Sequence, residues 1–484
     1  VRLERFYTKN EIMVMYLNTV PFGHEAYGIK SASRIFFNTT PDSLSIEEAA
    51  VLVGVLRAPT YYSPVLNPEN SFQRRNVVIN QMAKYDFIEE ETADSVKQLP
   101  IELDYNVQSH LRGKAQHFRA YLKKTLTAKR PVKQDYYSYD AFKEDSTEWK
   151  KNPLYGWANK NFKPDGSNYD IYRDGLRIYT TINYRMQEYA EEAVKKHMSE
   201  TLQKEFFAEK RGRADAPFSS DLTQEQKRSI MNAALTRTER YRKLRAMGVS
   251  RDSIDEVFNT PREMKVFTWE GEIDTVMTPF DSLKYYKHIL RTGFLAMEPS
   301  TGHVKAYIGD HNYKYFKYDH VTQGKRQVGS TVKPFLYVLG MQYYSPCHMV
   351  PNVPVSFEVN DSIWTPKNSG NFDMEGKMVT LEWGLANSVN YISAWLVKRF
   401  NPNAVVEIIK KMGIESYIDP VPSVIYGTSD IKLEEMVGAF NTFTNKGVYI
   451  EPVYVTRIED RHGNVISTFH PRQVEAISEK TAYL

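Results

Sequence analysis

The sequence predicts a multidomain protein in which a mostly α block is followed by an α+β block. Three observations predict it. A chain of 484 residues is longer than one hydrophobic core serves and divides into two or three domains. Residues 1 to about 103 carry helix starts and apolar runs, with no alternating strand pattern. From residue 176 onward, strand-like and helix-like stretches follow one another.

Composition narrows the class. A hydrophobic content of 42% and a charged content of 25% are those of a folded globular chain. Aromatic residues make up 13%, with 33 Tyr, which suits surfaces that stack on sugars and is equally common in plain cores. The net charge of +4 is small for this length, and with no nucleic-acid motif the chain is not read as a nucleic-acid binder. The single Cys347 excludes an intramolecular disulfide and a cysteine-built metal site. No run reaches the roughly 18 apolar residues of a membrane-spanning helix, and the most apolar segment, Ala49 to Leu56, is far shorter. No secretory signal is present, and the chain begins with Val1 inside charged, helical-looking sequence. We therefore expect a fragment of a longer protein, with any membrane anchor upstream.

In the first block, Lys9 to Asn18 reads as a helix closed by the loop Val20-Pro21-Phe22-Gly23. Ser45 followed by Glu48 and an apolar run is a capping-box start. Asn67-Pro68 opens another helix, carrying Arg74-Arg75-Asn76 and ending near Met82. Residues 104–175 are poorly periodic, and turns at Asn152-Pro153, Lys163-Pro164-Asp165-Gly166 and Asp174-Gly175 suggest a linker with some structure of its own. Leu176 to Ile182 alternates as a strand, and Tyr184 to about Leu202 reads as a helix.

An insertion is expected at about 197–290. Residues 195–251 carry 14 Lys/Arg against 7 Asp/Glu, either a basic surface facing an anionic polymer or headgroups, or a solvated helical face. Met264 to Trp269, followed by Glu270-Gly271, suggests a small β element there. Gly293 to Met297 and His303 to Gly309 flank the turn Glu298-Pro299-Ser300-Thr301-Gly302 and read as a β-hairpin.

The chemistry centres on Arg326-Gln327-Val328-Gly329-Ser330-Thr331-Val332-Lys333-Pro334-Phe335. Residues three apart on a helix share a face, so the Lys333 amine can lie beside the Ser330 hydroxyl. A serine is a weak nucleophile until a base takes its proton, and a lysine serves as that base once burial lowers its pKa. Downstream, Ala386-Asn387-Ser388-Val389-Asn390 places a Ser and an Asn two apart. A lone S-x-x-K is weak evidence, because such pairs are common on solvated helices.

The flanks make it specific. The two stretches resemble the S-x-x-K and S-x-N motifs of penicillin-binding proteins and serine β-lactamases. R-Q-V-G-S-T-V-K-P-F is similar to the R-Q-P-G-S-x-x-K-P-F signature of class A, bifunctional penicillin-binding proteins, with Val328 in the usual Pro position. The register continues through Trp364-Thr365-Pro366-Lys367-Asn368 and Leu385 to Asn390. The strand Leu176 to Ile182 and the helix from Tyr184 to about Leu202 resemble the strand-and-helix entry to the penicillin-binding module. Tyr426-Gly427-Thr428-Ser429, Leu433 to Phe440 and Asn445-Lys446-Gly447-Val448 follow the family order.

The first block resembles the C-terminal half of the family 51 glycosyltransferase domain. The resemblance rests on Glu11 to Asn18, Phe22-Gly23 with Gly28-Ile29, Glu48-Ala49-Ala50, Ala58-Pro59 and Arg74-Arg75-Asn76. It implies a lysozyme-like α domain at 1–103, then an α+β transpeptidase at 176–484 whose central antiparallel sheet is flanked by helices. Glu11, Tyr16 and Asn18 would support a glycan groove, while Arg74 and Arg75 would hold the domain or its anionic substrate. The family's catalytic carboxylates belong to E-D-x-x-F-x-x-H and R-K-x-x-E segments, expected before Val1.

By the same resemblance Ser330 is the acylated nucleophile, Lys333 its base, Ser388 a proton relay, and Asn390 a holder of Lys333 and substrate. The implied reaction is D,D-transpeptidation of stem peptides ending in D-Ala-D-Ala, blocked by β-lactams and needing no cofactor. A divalent metal is allowed only for the complete glycosyltransferase. Implied partners are lipid II, nascent glycan, stem peptides and the membrane, with the protein anchored at the cytoplasmic membrane and facing outward. One departure stands out: no K-T-G follows Asn390. The sequence expectation places that motif beyond Leu484. The alternatives are a β-lactamase- or D,D-carboxypeptidase-type hydrolase and a non-catalytic scaffold.

Overall fold

The computed structural model describes residues 2–24, 26–105, 113–359, 361–368 and 374–484. Residues 106–112 of the expected linker lie outside the described residues, as do Val1 and Glu25 of the first block. The chain forms two compact units. One comprises Val1–Gly113, Arg119–Tyr179 and Arg457–Phe469; the other comprises Lys114–Phe118, Thr180–Thr456 and His470–Leu484.

The first unit is mostly helical. Helix Lys9–Thr19 starts in a capping box, with Thr8 Oγ1 accepting from Glu11 N–H while Glu11 accepts from Thr8 N–H. Helix Ile46–Val55 starts the same way with Ser45 and Glu48, as its sequence predicts. It buries Val51, Leu52 and Val55 against Phe22, Phe36 and Phe37 of the loop and helix before it. Through Ala50 it reaches Ile79, Ala93 and Val96 on helices Pro68–Lys84 and Glu90–Gln98. Each such fully buried large apolar side chain contributes roughly 1.5–3 kcal/mol.

The stretch expected as a linker has a folded centre. Helices Gln116–Leu126, Tyr139–Lys151 and Trp157–Lys160 occupy it, and Trp157 is buried with its indole N–H donating to Ser467 Oγ at 2.8 Å. Trp157 is tied both to Tyr169, with ring centroids 5.2 Å apart, and to Ser467, 310 positions later, and such contacts leave no local period to read.

In the second unit, helix Tyr184–His197 runs through a π-helical turn at Met198–Leu202 into Gln203–Lys210. The insertion holds helices Gln224–Thr236, Glu239–Ala246, Arg251–Asn259 and Pro279–His288 around Leu235, Ile254 and Phe258. Its β element is a hairpin of Arg262–Thr268 with Gly271–Met277. Several cations of the basic stretch are paired locally, as in Lys227–Asp215 at 2.7 Å and Lys243–Glu239 at 2.7 Å. The expected hairpin at 293–309 pairs Phe294–Met297 with Val304–Ile308, with a bulge at Ala296/Met297.

Helix Leu433–Thr444 packs on strand Phe294–Met297, and helix Lys333–Tyr343 packs on Asn390–Phe400 and Pro402–Lys411. The core of this unit joins Phe335, Leu336, Val338, Ile392, Leu396 and Ile409. Among the described residues, the other antiparallel pairings of the unit are short two-stranded ladders, such as Lys325–Gln327 with Asp430–Lys432.

Candidate active site

Lys325–Gln327 delivers the chain into a 3-10 turn, Gly329–Val332, which carries Ser330. Lys333 opens the α-helix that follows, with Pro334 in its first turn, where a missing N–H costs nothing. In a 3-10 turn, positions three apart eclipse, which puts Ser330 and Lys333 on one side. Ser330 is exposed, whereas Lys333 is buried.

The turn is fixed from across the fold by a close backbone approach. Gly329 N–H donates to Gly427 carbonyl O at 3.1 Å, and both glycines hold positive φ, +58° and +60°. A Cβ on Gly427 would sit 2.1 Å from Gly329 O, so no larger residue fits without moving the serine turn.

Lys333 Nζ donates to Ser388 carbonyl O at 2.5 Å, to Ser388 Oγ at 3.0 Å and to Asn390 Oδ1 at 2.7 Å. Ser388 presents both oxygens because its backbone is left-handed, φ +53°, in the turn leaving helix Leu381–Ala386. Val389 N–H donates to Gly384 O and closes that turn. Burial pushes the Lys333 amine down to about 8. The three bonds use all three protons of an ammonium; a neutral amine keeps two and frees a lone pair. None of the three reaches Ser330.

Asn390 is oriented from outside its own helix. Its Nδ2 donates to Lys367 O at 2.7 Å, so its Oδ1 faces Lys333. Helix Asn390–Phe400 has Val389 at its N-cap, with no side-chain acceptor; Asn368 Oδ1 supplies one, accepting from Asn390 N–H at 3.0 Å and Tyr391 N–H at 3.4 Å. Tyr426 hydroxyl accepts from Lys367 N–H at 3.0 Å and contacts Lys367 O at 3.2 Å. The sequence reading missed Asn368, Tyr426 and Gly427 as site residues. Their motifs were visible, but nothing local told what they would touch.

The structure thus brings Lys333, Ser388 and Asn390 into direct contact, with Ser330 in the turn immediately before Lys333. Val328 and Thr331, on either side of Gly329–Ser330, also line a cleft of about 540 Å³ shared with Arg326, Met436, Phe440 and Asn441.

The glycosyltransferase-side residues fare differently. Glu11 is occupied in the capping box, its carboxylate held below the usual range by hydrogen bonds from Thr8 N–H and Oγ1. Tyr16 and Asn18 are exposed on the same helix. Arg74 is partly buried, its guanidinium near the Tyr62 ring. Of the two roles expected of Arg75, holding the domain or holding an anionic substrate, the structure shows the first. Arg75 is fully buried, its guanidinium donating to Leu99 O at 2.8 Å and Lys97 O at 3.0 Å and lying over the Phe72 ring. It joins helix Pro68–Lys84 to the end of helix Glu90–Gln98. No group of three or more His, Cys, Asp or Glu that could hold a metal occurs among the described residues, and no described helix is long and apolar enough to cross a membrane.

Comparison with known proteins agrees with this architecture. Residues 292–483 match the family described as penicillin-binding protein transpeptidase domain, residues 213–290 the penicillin-binding protein middle domain, and residues 1–83 the transglycosylase family. The expected insertion is largely this middle domain. Penicillin-binding protein 2D of Bacillus subtilis is 24% identical over 487 residues, covering 100% of this chain and 53% of that protein. Penicillin-binding protein 1A of Pseudomonas aeruginosa is 26% identical, covering 98% of this chain and 56% of its own length. The chain thus spans about half the length of the curated relatives it matches. A crystal structure of penicillin-binding protein 1A from Haemophilus influenzae superposes with a TM-score of 0.58 at 18% identity, over 97% of this chain and 66% of that one, which establishes a shared fold. Transglycosylase, middle and transpeptidase regions thus follow one another around the Ser330–Lys333 and Ser388–Asn390 motifs, and the chain carries the domain series of the class A penicillin-binding proteins.

Proposed function

We propose that the second unit is the acyl-transfer part of a peptidoglycan D,D-transpeptidase. The observation that carries the reading is the buried Lys333 amine, gripped by Ser388 and Asn390 one turn after an exposed serine. A stem-peptide carbonyl is held over Ser330. Neutral Lys333 takes the hydroxyl proton as Ser330 Oγ attacks, giving a tetrahedral oxyanion and a lysine ammonium. The backbone N–H of Ser330 is one donor for that oxyanion. Collapse expels D-Ala, whose amine receives the proton through Ser388 Oγ, already 3.0 Å from Nζ. An amine from a neighbouring strand then attacks the ester carbonyl, the C–O bond to Ser330 breaks, and the amine's proton returns by way of Lys333 to Ser330 Oγ; a β-lactam acylates the same serine, but its leaving amine stays tethered and the ester is trapped. The proposal assigns the reaction no cofactor.

For the whole protein we propose glycan polymerisation from lipid II by the glycosyltransferase part, with a divalent metal as its only candidate cofactor. Its place is the outer face of the cytoplasmic membrane, held by an anchor outside this chain. The chain carries no K-T-G after Asn390, the family's source of a second oxyanion donor and a cation for the substrate carboxylate.

The test is covalent labelling with a fluorescent penicillin, applied to this chain and to a form extended past residue 484, each beside its Ser330→Ala variant. Labelling lost in Ser330→Ala supports the acyl-enzyme. An extended, folded protein that never labels refutes it in favour of a non-catalytic role.

A further inference from the structure

The catalytic contacts described above are split between two parts of the fold, and one short strap touches both. Ser330 sits in a turn whose Gly329 N–H is bound to Gly427 O. Lys333 is gripped by Asn390. Between them runs the segment Trp364 to Asn368. Its Lys367 carbonyl receives Asn390 Nδ2, and its Asn368 caps the Asn390 helix. Both the N–H and the carbonyl of Lys367 are also within hydrogen-bond distance of the hydroxyl of Tyr426, the residue directly before Gly427. Trp364 packs edge-on against the Tyr426 ring, with centroids 5.8 Å apart.

We propose that Asn368 and Tyr426 are positioning residues, forming a clamp that sets the Lys333 amine and the Ser330 turn in register. The inference rests on the acyl-transfer reading given above. Its physical basis is orientation. An amide side chain turns about its last bond unless both ends are engaged, and Asn390 is engaged at one end by Lys333 and at the other by Lys367 O. The helix that carries Asn390 has no acceptor of its own for its first N–H groups, so without Asn368 they are left unpaired. Tyr426 ties that arrangement to the backbone approach that shapes the serine turn. Neither residue needs to touch substrate.

The experiment measures the rate of penicillin acylation against pH for the chain, in whichever length acylates, and for Asn368→Ala, Asn368→Asp and Tyr426→Phe. Thermal melting of each checks that it is folded. The expected result is a rate roughly tenfold or more lower in Asn368→Ala and Tyr426→Phe, with the pH midpoint moved by about half a pH unit or more, because a charge-assisted bond is loosened. Asn368→Asp keeps an oxygen facing the two N–H groups and should recover most of the rate. Folded Asn368→Ala and Tyr426→Phe proteins with wild-type rate and midpoint overturn the clamp. A second readout is independent of acylation: the ¹³C signal of the Lys333 ε-carbon, assigned by its loss in Lys333→Arg. If the wild-type chain never acylates, the acyl-transfer reading falls. The clamp is then judged by whether the Lys333 titration midpoint moves in Asn368→Ala, and an unmoved midpoint overturns it.

Discussion

Lys333 Nζ and Asn390 Oδ1 are 2.7 Å apart, and that bond joins the S-x-x-K and S-x-N motifs of the chain directly. Removing the acceptor in Asn390→Ala frees the amine from one of the three partners that fix it. A hydrogen bond to a charged group is worth about 1.5–3 kcal/mol, so penicillin acylation should slow by roughly tenfold to a hundredfold. Stopped-flow labelling checks this, and a variant as fast as wild type contradicts the assignment of Asn390.

The pH dependence follows from the same amine. Burial brings Lys333 down to about 8 from its ordinary 10.5, so acylation should rise with pH through a midpoint near 8 and level off above it. The sign for stability is set by the same shift. Between about 8 and 10.5 the unfolded chain binds a proton that the folded chain has released, so this group adds stability as pH rises through that window. Asn390→Asp would place a carboxylate against the ammonium and should move the acylation midpoint upward. A midpoint unmoved in Asn390→Asp would show that the rate reports some other group.

Gly427→Ala tests the backbone approach that shapes the serine turn. Its Cβ would lie 2.1 Å from Gly329 O and 2.6 Å from Gly329 N, at a φ of +60° that alanine disfavours. The expected outcome is a loss of roughly 2–4 kcal/mol of stability, or a displaced turn, with labelling at Ser330 reduced in either case. Thermal melting and penicillin labelling of the same sample distinguish the two.

Arg75→Ala should injure the first unit and spare the acyl-transfer site. Leu99 O and Lys97 O lose their buried donor, a cost of about 2–4 kcal/mol. Arg75→Lys should not restore it, because a single ammonium cannot span both carbonyls as the planar guanidinium does. Faster amide exchange along helix Pro68–Lys84, with unchanged Ser330 labelling, is the expected signature. Normal exchange in Arg75→Ala would return Arg75 to consideration as a ligand.

Much of this arrangement is legible locally. The capping boxes at Thr8 and Ser45, the Pro68 helix start and the hairpin around Glu298 to Gly302 follow from short-range rules, and each forms where its residues dictate. Ser330 with Lys333, and Ser388 with Asn390, are close in sequence, so their pairing within each motif is visible before any fold is known. The folded centre of 104–175 was not legible in the same way, because Trp157 is held partly by Ser467, 310 positions later, as well as by Tyr169 nearby.

The sequence by itself determined the order of the regions, the helix and hairpin starts, and the residue types able to perform acyl transfer, because these depend on spacings of a few residues. Only the tertiary structure decided that Lys333 bonds to Ser388 and Asn390, that Arg75 is spent on Leu99 and Lys97, and that Asn368 and Gly427 frame the site. Those contacts join residues 22 to 98 positions apart, and burial sets the Lys333 amine near 8 only once that packing excludes water. A local pattern fixes which groups are available; desolvation and long-range hydrogen bonds fix what each of them does.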